Sequence, residues 1–265
     1  MRRAGQCVVG LLILGGALRA AASEPQHPRE PWSSASARTL PQGRWEFGVL
    51  QNAHYGVNRR LELALHPVML FALPHLELKA TAFEEAYFTL GVQSRWSYPT
   101  GFLSLVSREG SGGLLPKTSR PPFAIQIEGD VIASLRFASR HELSARLGLA
   151  VAPHARFTPE ELPLLDFPFL YPRFAAIYTP LVPRAELDFE GALLPRCFYR
   201  LGALAFVMPA LPDVGTAYAV ETLATFEYRV SQHVALSLGV RGSHAKYAIG
   251  TRWHTLPFID ARFGF

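Results

Sequence analysis

The sequence predicts an all-β protein, an antiparallel up-and-down transmembrane β-barrel of about twelve strands, on three observations. Its N-terminus has the form of an export signal. Its apolar residues alternate with polar ones at period two from residue 44 to the last residue. And although the chain is 49% hydrophobic, with a mean hydropathy of +0.13, no long apolar segment follows Leu18. A chain this apolar without a helical span must place its apolar residues along one face of its strands.

Arg2 and Arg3 precede an apolar run over residues 7–18, closed by Arg19 and followed by Ala20, Ala21 and Ala22. A basic start, a short apolar centre and small residues at its end describe a secretory signal peptide. The run is shorter than the ~18 residues a spanning helix needs. Cleavage is expected after Ala22, so residues 1–22 are read as signal peptide, 23–42 as a polar N-terminal segment and 43–265 as the barrel. Cys7 leaves with the leader and Cys197 remains alone, which excludes an internal disulfide. Loss of Arg2, Arg3 and Arg19 lowers the formal net charge from +5 to +2, and nucleic acid is not an expected partner.

The strands follow one rule. Trp45, Phe47 and Val49 alternate with Arg44, Glu46 and Gly48, and Leu61, Leu63 and Leu65 with Arg60, Glu62 and Ala64. Leu76 and Leu78 oppose Glu77 and Lys79, Val92 and Trp96 oppose Gln93 and Arg95, and Ile127, Val131 and Leu135 oppose Glu128, Asp130 and Arg136. Leu147 faces away from Arg146, Leu187 and Phe189 from Glu186 and Asp188, and Leu201 from Arg200. Val220, Phe226 and Tyr228 oppose Glu221, Glu227 and Arg229, Leu238 and Val240 oppose Arg241, and the last strand sets Ile259, Ala261, Phe263 and Phe265 against Asp260 and Arg262. Prolines such as Pro195, Pro209 and Pro257 are read as strand boundaries.

Short links near 55–59, 84–86, 138–142, 192–196 and 230–233 alternate with longer ones near 98–122, 153–183, 208–216 and 243–256. Single-chain barrels of this kind have even strand numbers, short turns on one side and long loops on the other. The pattern yields eleven strands, so residues 34–40 are taken as a short first strand to make twelve, with ten and fourteen the alternatives.

A soluble barrel also alternates, with its apolar face inside. Here the polar face carries many ionised groups, while Trp45, Trp96, Tyr98, Tyr199, Tyr218 and Tyr228 stand near strand ends, where interfacial girdles lie. The alternation Ile259, Ala261, Phe263, Phe265 up to a terminal phenylalanine resembles the C-terminal β-signal of bacterial outer-membrane barrel proteins. The resemblance covers the last strand. It implies recognition by the barrel-assembly machinery, a place in the bacterial outer membrane, and lipid and lipopolysaccharide as surroundings.

The charges expected to face the lumen are Glu46, Arg60, Glu62, Glu77, Lys79, Arg95, Glu128, Asp130, Arg136, Arg146, Glu186, Asp188, Arg200, Glu221, Glu227, Arg229, Arg241, Asp260 and Arg262. The signs are mixed, which fits a salt-bridged interior or a narrow, weakly selective pore, since a selective path shows one sign at its constriction. Asp260 is expected to share its charge with Arg241 or Arg262. No H-E-x-x-H or G-x-S-x-G occurs, so no catalytic residue, metal site or cofactor is assigned. The Pro-rich stretch 153–183 contains Leu164, Leu165, Phe167, Phe169 and Tyr171. It is expected to pack over the rim or fold into the mouth, or else to bind lipid or an apolar ligand, the alternative in which the barrel is an enzyme or a binding barrel.

Overall fold

Alternating residues on a pleated strand point to opposite faces, so a closed sheet sorts this sequence into an inner and an outer surface. The computed structural model describes residues 32–67, 70, 73–108, 115, 121, 123–137, 140–153, 169–211, 214–247 and 250–265. The expected signal peptide, residues 1–22, lies outside them.

Twelve antiparallel strands close into one barrel in sequence order, each paired with its neighbours and β1 with β12. They are β1 (Trp45–Gly48), β2 (Ala53–Asn58), β3 (Leu61–Leu65), β4 (His75–Glu84), β5 (Phe88–Ser97), β6 (Gln126–Phe137), β7 (His141–Val151), β8 (Val182–Leu194), β9 (Cys197–Leu211), β10 (Gly215–Arg229), β11 (Val234–Tyr247) and β12 (Gly250–Gly264). Helix α1 (Pro99–Val106) follows β5, and a short helix α2 (Tyr171–Phe174) with a 3-10 turn precedes β8.

The barrel is apolar outside and polar inside. Ile259 is 80% exposed and Asp260 beside it 2%; Leu147, Leu187, Leu201 and Leu238 are exposed while Ser144, Asp188 and Ser237 are buried. A water-soluble barrel would have the opposite sorting.

The count of twelve arises differently from the expectation. Residues 34–40 form no strand, and the missing strand is β2, whose Tyr55-Gly56-Val57 had the look of a turn. Pro209 and Pro257 lie within β9 and β12, so the links expected over 208–216 and 243–256 are mostly strand.

Strand length is uneven. β8 has 13 residues, β9, β10 and β12 have 15 and β11 has 14, whereas β1, β2 and β3 have 4, 6 and 5. Both ends of the described chain, Trp32 and Phe265, lie on the side of the short turns, where β1 begins and β12 ends.

Candidate functional site

The candidate site is the barrel interior. Register brings charges of opposite sign onto common rungs: Glu77 on β4 pairs with Arg95 on β5, which pairs with Glu128 on β6. Cross-strand opposite charges stabilise a sheet, and the side chains meet, Arg95 reaching Glu77 at 2.6 Å and Glu128 at 3.5 Å. The guanidinium of Arg184 spans Glu128 and Asp130, its Nε donating to Asp130 at 2.7 Å. Gly148, between Asp130 and Arg184 in the sheet, leaves that path free; a Cβ there would overlap the Asp130 carboxylate.

A second group joins Arg146 to Glu186 at 2.9 Å and Arg200 to Glu186 and Asp188 at 3.5 and 2.7 Å. Toward the turn side, Arg262 holds Glu46 at 2.9 Å and Glu227 at 2.7 Å, and Arg229 also binds Glu227. Glu62 accepts from His54 at 2.8 Å and Lys79 lies 3.3 Å away. Arg136 lies 3.9 Å from Glu142, and Arg60 sits in the β2–β3 turn rather than on the wall. Arg173 on α2 donates to Glu221 at 2.8 Å. Arg241 faces inward with no carboxylate within 4.0 Å among the described residues, and Asp260 pairs with neither Arg241 nor Arg262. Its carboxylate instead accepts backbone N–H groups, those of Val49, Leu50 and Ala261.

Two segments enter this lumen. From the turn side, residues 32–41 run along the inner wall: Leu40 N–H donates to Glu62 at 2.8 Å, Ala37 N–H to the Ser134 hydroxyl at 2.9 Å and Thr81 to Ala37 O at 2.8 Å. Arg38 bridges Glu84 and Glu142 at 3.2 and 2.8 Å, and Trp32 stacks under the Arg44 and Arg262 guanidinia. Buried backbone groups need partners, and the wall's carboxylates and hydroxyls supply them. Gly56 and Gly91 make room, because a Cβ at either would strike the carbonyls of Pro41 or Ala37.

From the loop side, residues 169–179 fold inward. Tyr171, Phe174 and Ile177 are buried with Leu103 and Val106 of α1 against Phe206, Met208, Ala217, Ala219, Ala245 and Tyr247 of the wall. Small alanines at inward positions admit the segment, and the Tyr171 hydroxyl donates to Lys246 O at 2.9 Å. Of the apolar loop residues, Phe169 is half-buried at φ 65° and Tyr171 buried, while Leu164, Leu165 and Phe167 lie outside the described residues. Of the assembly-signal residues, Ile259 and Phe265 are exposed, Phe263 stacks on Phe47 at 5.3 Å and Ala261 is half-buried.

Sequence reasoning missed Arg38, in a segment it read as a strand, Arg173, in the 153–183 link, and Arg184, just past the end of that link. No group of three or more His, Cys, Asp or Glu among the described residues is placed to hold a metal ion.

Among solved structures, an outer membrane channel from Pseudomonas putida F1 matches at TM-score 0.55 with 9% identity, over 88% of this chain and 100% of that one. The fold is that of a bacterial outer-membrane barrel. OccAB4 of Acinetobacter baumannii matches at TM-score 0.44 with 8% identity, over 81% of this chain, which spans about half of OccAB4's length. No protein-family description matches the chain. No curated protein sequence matches it either.

Proposed function

We propose that the protein is a bacterial outer-membrane channel of narrow bore and weak ionic selectivity, exported by its signal peptide and inserted by the barrel-assembly machinery, with lipid and lipopolysaccharide around it. The observation that carries the reading is the paired interior: carboxylates and guanidinia neutralise each other on the rungs from β4 to β9, so no ring of one sign selects cations or anions. The full-length likeness in fold to an outer membrane channel supports it. The two segments inside the barrel narrow the path, residues 32–41 on the turn side, which is periplasmic by the usual polarity of such barrels, and residues 169–179 on the loop side.

Purified mature protein in planar bilayers should give small conductance steps with nearly equal permeability to potassium and chloride. Large steps with strong selectivity would overturn the reading. Fractionation should place the protein in the outer-membrane pellet, resistant to salt and alkaline extraction.

A further inference from the structure

Among the described residues, the strands of the closed barrel are short on one side. A strand needs ~9–11 residues to cross the hydrocarbon layer, yet β1, β2 and β3 have 4, 6 and 5. β12 pairs with β1 only over Arg262–Gly264, so its residues 250–261 have β11 on one edge and no strand on the other among the described residues. Phe265 N–H points to β1 and Gly264 N–H to the β11 side, so the odd-numbered N–H groups of β12 face the open edge. Asp260 satisfies that of Ala261, and Pro257 has none to offer. A proline on an exposed edge disfavours addition of another strand.

At this opening the sequence departs from alternation. Leu256, Pro257, Phe258 and Ile259 are apolar on both faces of the strand. Leu256 faces inward beside Arg241, its register partner, yet is 52% exposed. The Phe258 ring lies over Gly239, where a Cβ would come within 2.7 Å of it. An apolar surface thus leads from the lumen around the edge of β12 to Ile259, which is 80% exposed on the outer face, and at its inner end stands Arg241, with no carboxylate within 4.0 Å among the described residues.

We infer that this gap is a lateral site for an anionic amphiphile: the acid group pairs with Arg241, and the hydrocarbon chain passes over Leu256 and Phe258 out of the barrel into the bilayer. An unpaired inward cation calls for an anion, and an apolar strip open to lipid calls for a chain. The inference rests on the reading of the chain as a membrane barrel but not on conduction, and its test is independent of conductance.

Mature protein folded in micelles is titrated with a dansyl-labelled undecanoic acid, the corresponding alcohol, and a longer-chain acid carrying the same label. The acid should bind saturably and about tenfold more tightly than the alcohol, the scale of one charge-assisted contact. Arg241→Gln should bring the acid to the alcohol's level, and Leu256→Asn should weaken both, each variant being checked as folded by heat-modifiable gel migration. Lengthening the chain should not weaken binding, because its end leaves the barrel. Equal binding of acid and alcohol to the unaltered protein, indifference to Arg241→Gln, or an upper limit on chain length would each overturn the inference. So would cross-linking that captures a second copy along the β12 edge, because a partner strand would close the gap.

Discussion

The Asp260 carboxylate ends strand β1: its Oδ1 accepts the backbone N–H of Val49 at 2.9 Å and of Leu50 at 3.0 Å, turning the chain away from β12 just after Gly48. Asp260 is 2% exposed and its Oδ2 is buried with no partner among the described residues, so the side chain is held by backbone dipoles rather than by an arginine.

Replacing Asp260 should therefore cost more than a shared lumen charge would. Asp260→Ala removes the acceptor of three backbone N–H groups and should destabilise the barrel by about 1.5–3 kcal/mol, the range for hydrogen bonds to a charged group. Asp260→Asn, which retains an acceptor, should cost roughly half of that. Urea unfolding in micelles, followed by tryptophan fluorescence, measures both, and equal midpoints for Asp260→Ala and the parent would refute the capping role.

Gly48 is tied to the same carboxylate, because a Cβ there would lie 2.8 Å from Asp260 Oδ2. Gly48→Val should push the carboxylate off Val49 and Leu50 and lose at least as much stability as Asp260→Ala. Combined with Asp260→Ala, it should add little. Additive losses in that double variant would show that the two positions act separately.

Arg262 joins Glu46 and Glu227 with its side chain only 10% exposed. Removing one member of a buried pair leaves its partners uncompensated, so Arg262→Ala should cost about 3–5 kcal/mol. Arg200→Ala, at a guanidinium 34% exposed, should cost clearly less in the same unfolding assay.

Arg38 fastens the N-terminal segment to Glu84 and Glu142. Arg38→Ala removes one of the segment's ties to the wall, and deletion of residues 32–41 removes the segment, so single-channel conductance should rise slightly in the first and by about twofold or more in the second. Conductance unchanged by the deletion would place the constriction at the loop-side residues 169–179.

Phe265 stacks on Trp45 at 4.7 Å, and the two exchange both backbone hydrogen bonds where the barrel closes. Truncating Phe265, or adding one residue after it, should lower the surface level and the heat-modifiable fraction more than it lowers the stability of protein refolded in vitro. A one-residue extension turns the terminal side chain to the other face. Normal assembly of both forms would detach the C-terminal alternation from any signalling role.

The all-β class and the sorting of apolar from polar residues within each strand were legible because period two is local. β2 was not legible: Gly56 and Asn58 look like turn residues, and only its pairing with β1 and β3 makes the segment a strand. The upper parts of β9 to β12 were hidden for a related reason. Their inward residues, Met208, Ala217, Ala219 and Ala245, are apolar or small because they pack on residues 171–178, and that contact is invisible in a one-dimensional pattern. The N-terminal segment was misread as a strand because its polar residues satisfy the wall through side-chain and backbone hydrogen bonds, with no periodicity to mark them.

The unequal strands have a consequence for the surrounding lipid. At ~3.3 Å per residue, the four to six residues of β1, β2 and β3 rise only about 13–20 Å, well short of a hydrocarbon layer of ~30 Å. The 15 residues of β9, β10 and β12 are long enough to cross that layer even when tilted. One circumference thus presents two hydrophobic heights, and a bilayer meets such a mismatch by thinning beside the low sector or by tilting the protein within it. Acyl chains next to β1–β3 would then be shortened and disordered relative to those next to β10, so the barrel would carry an asymmetric collar of compressed membrane on the side where its wall is lowest.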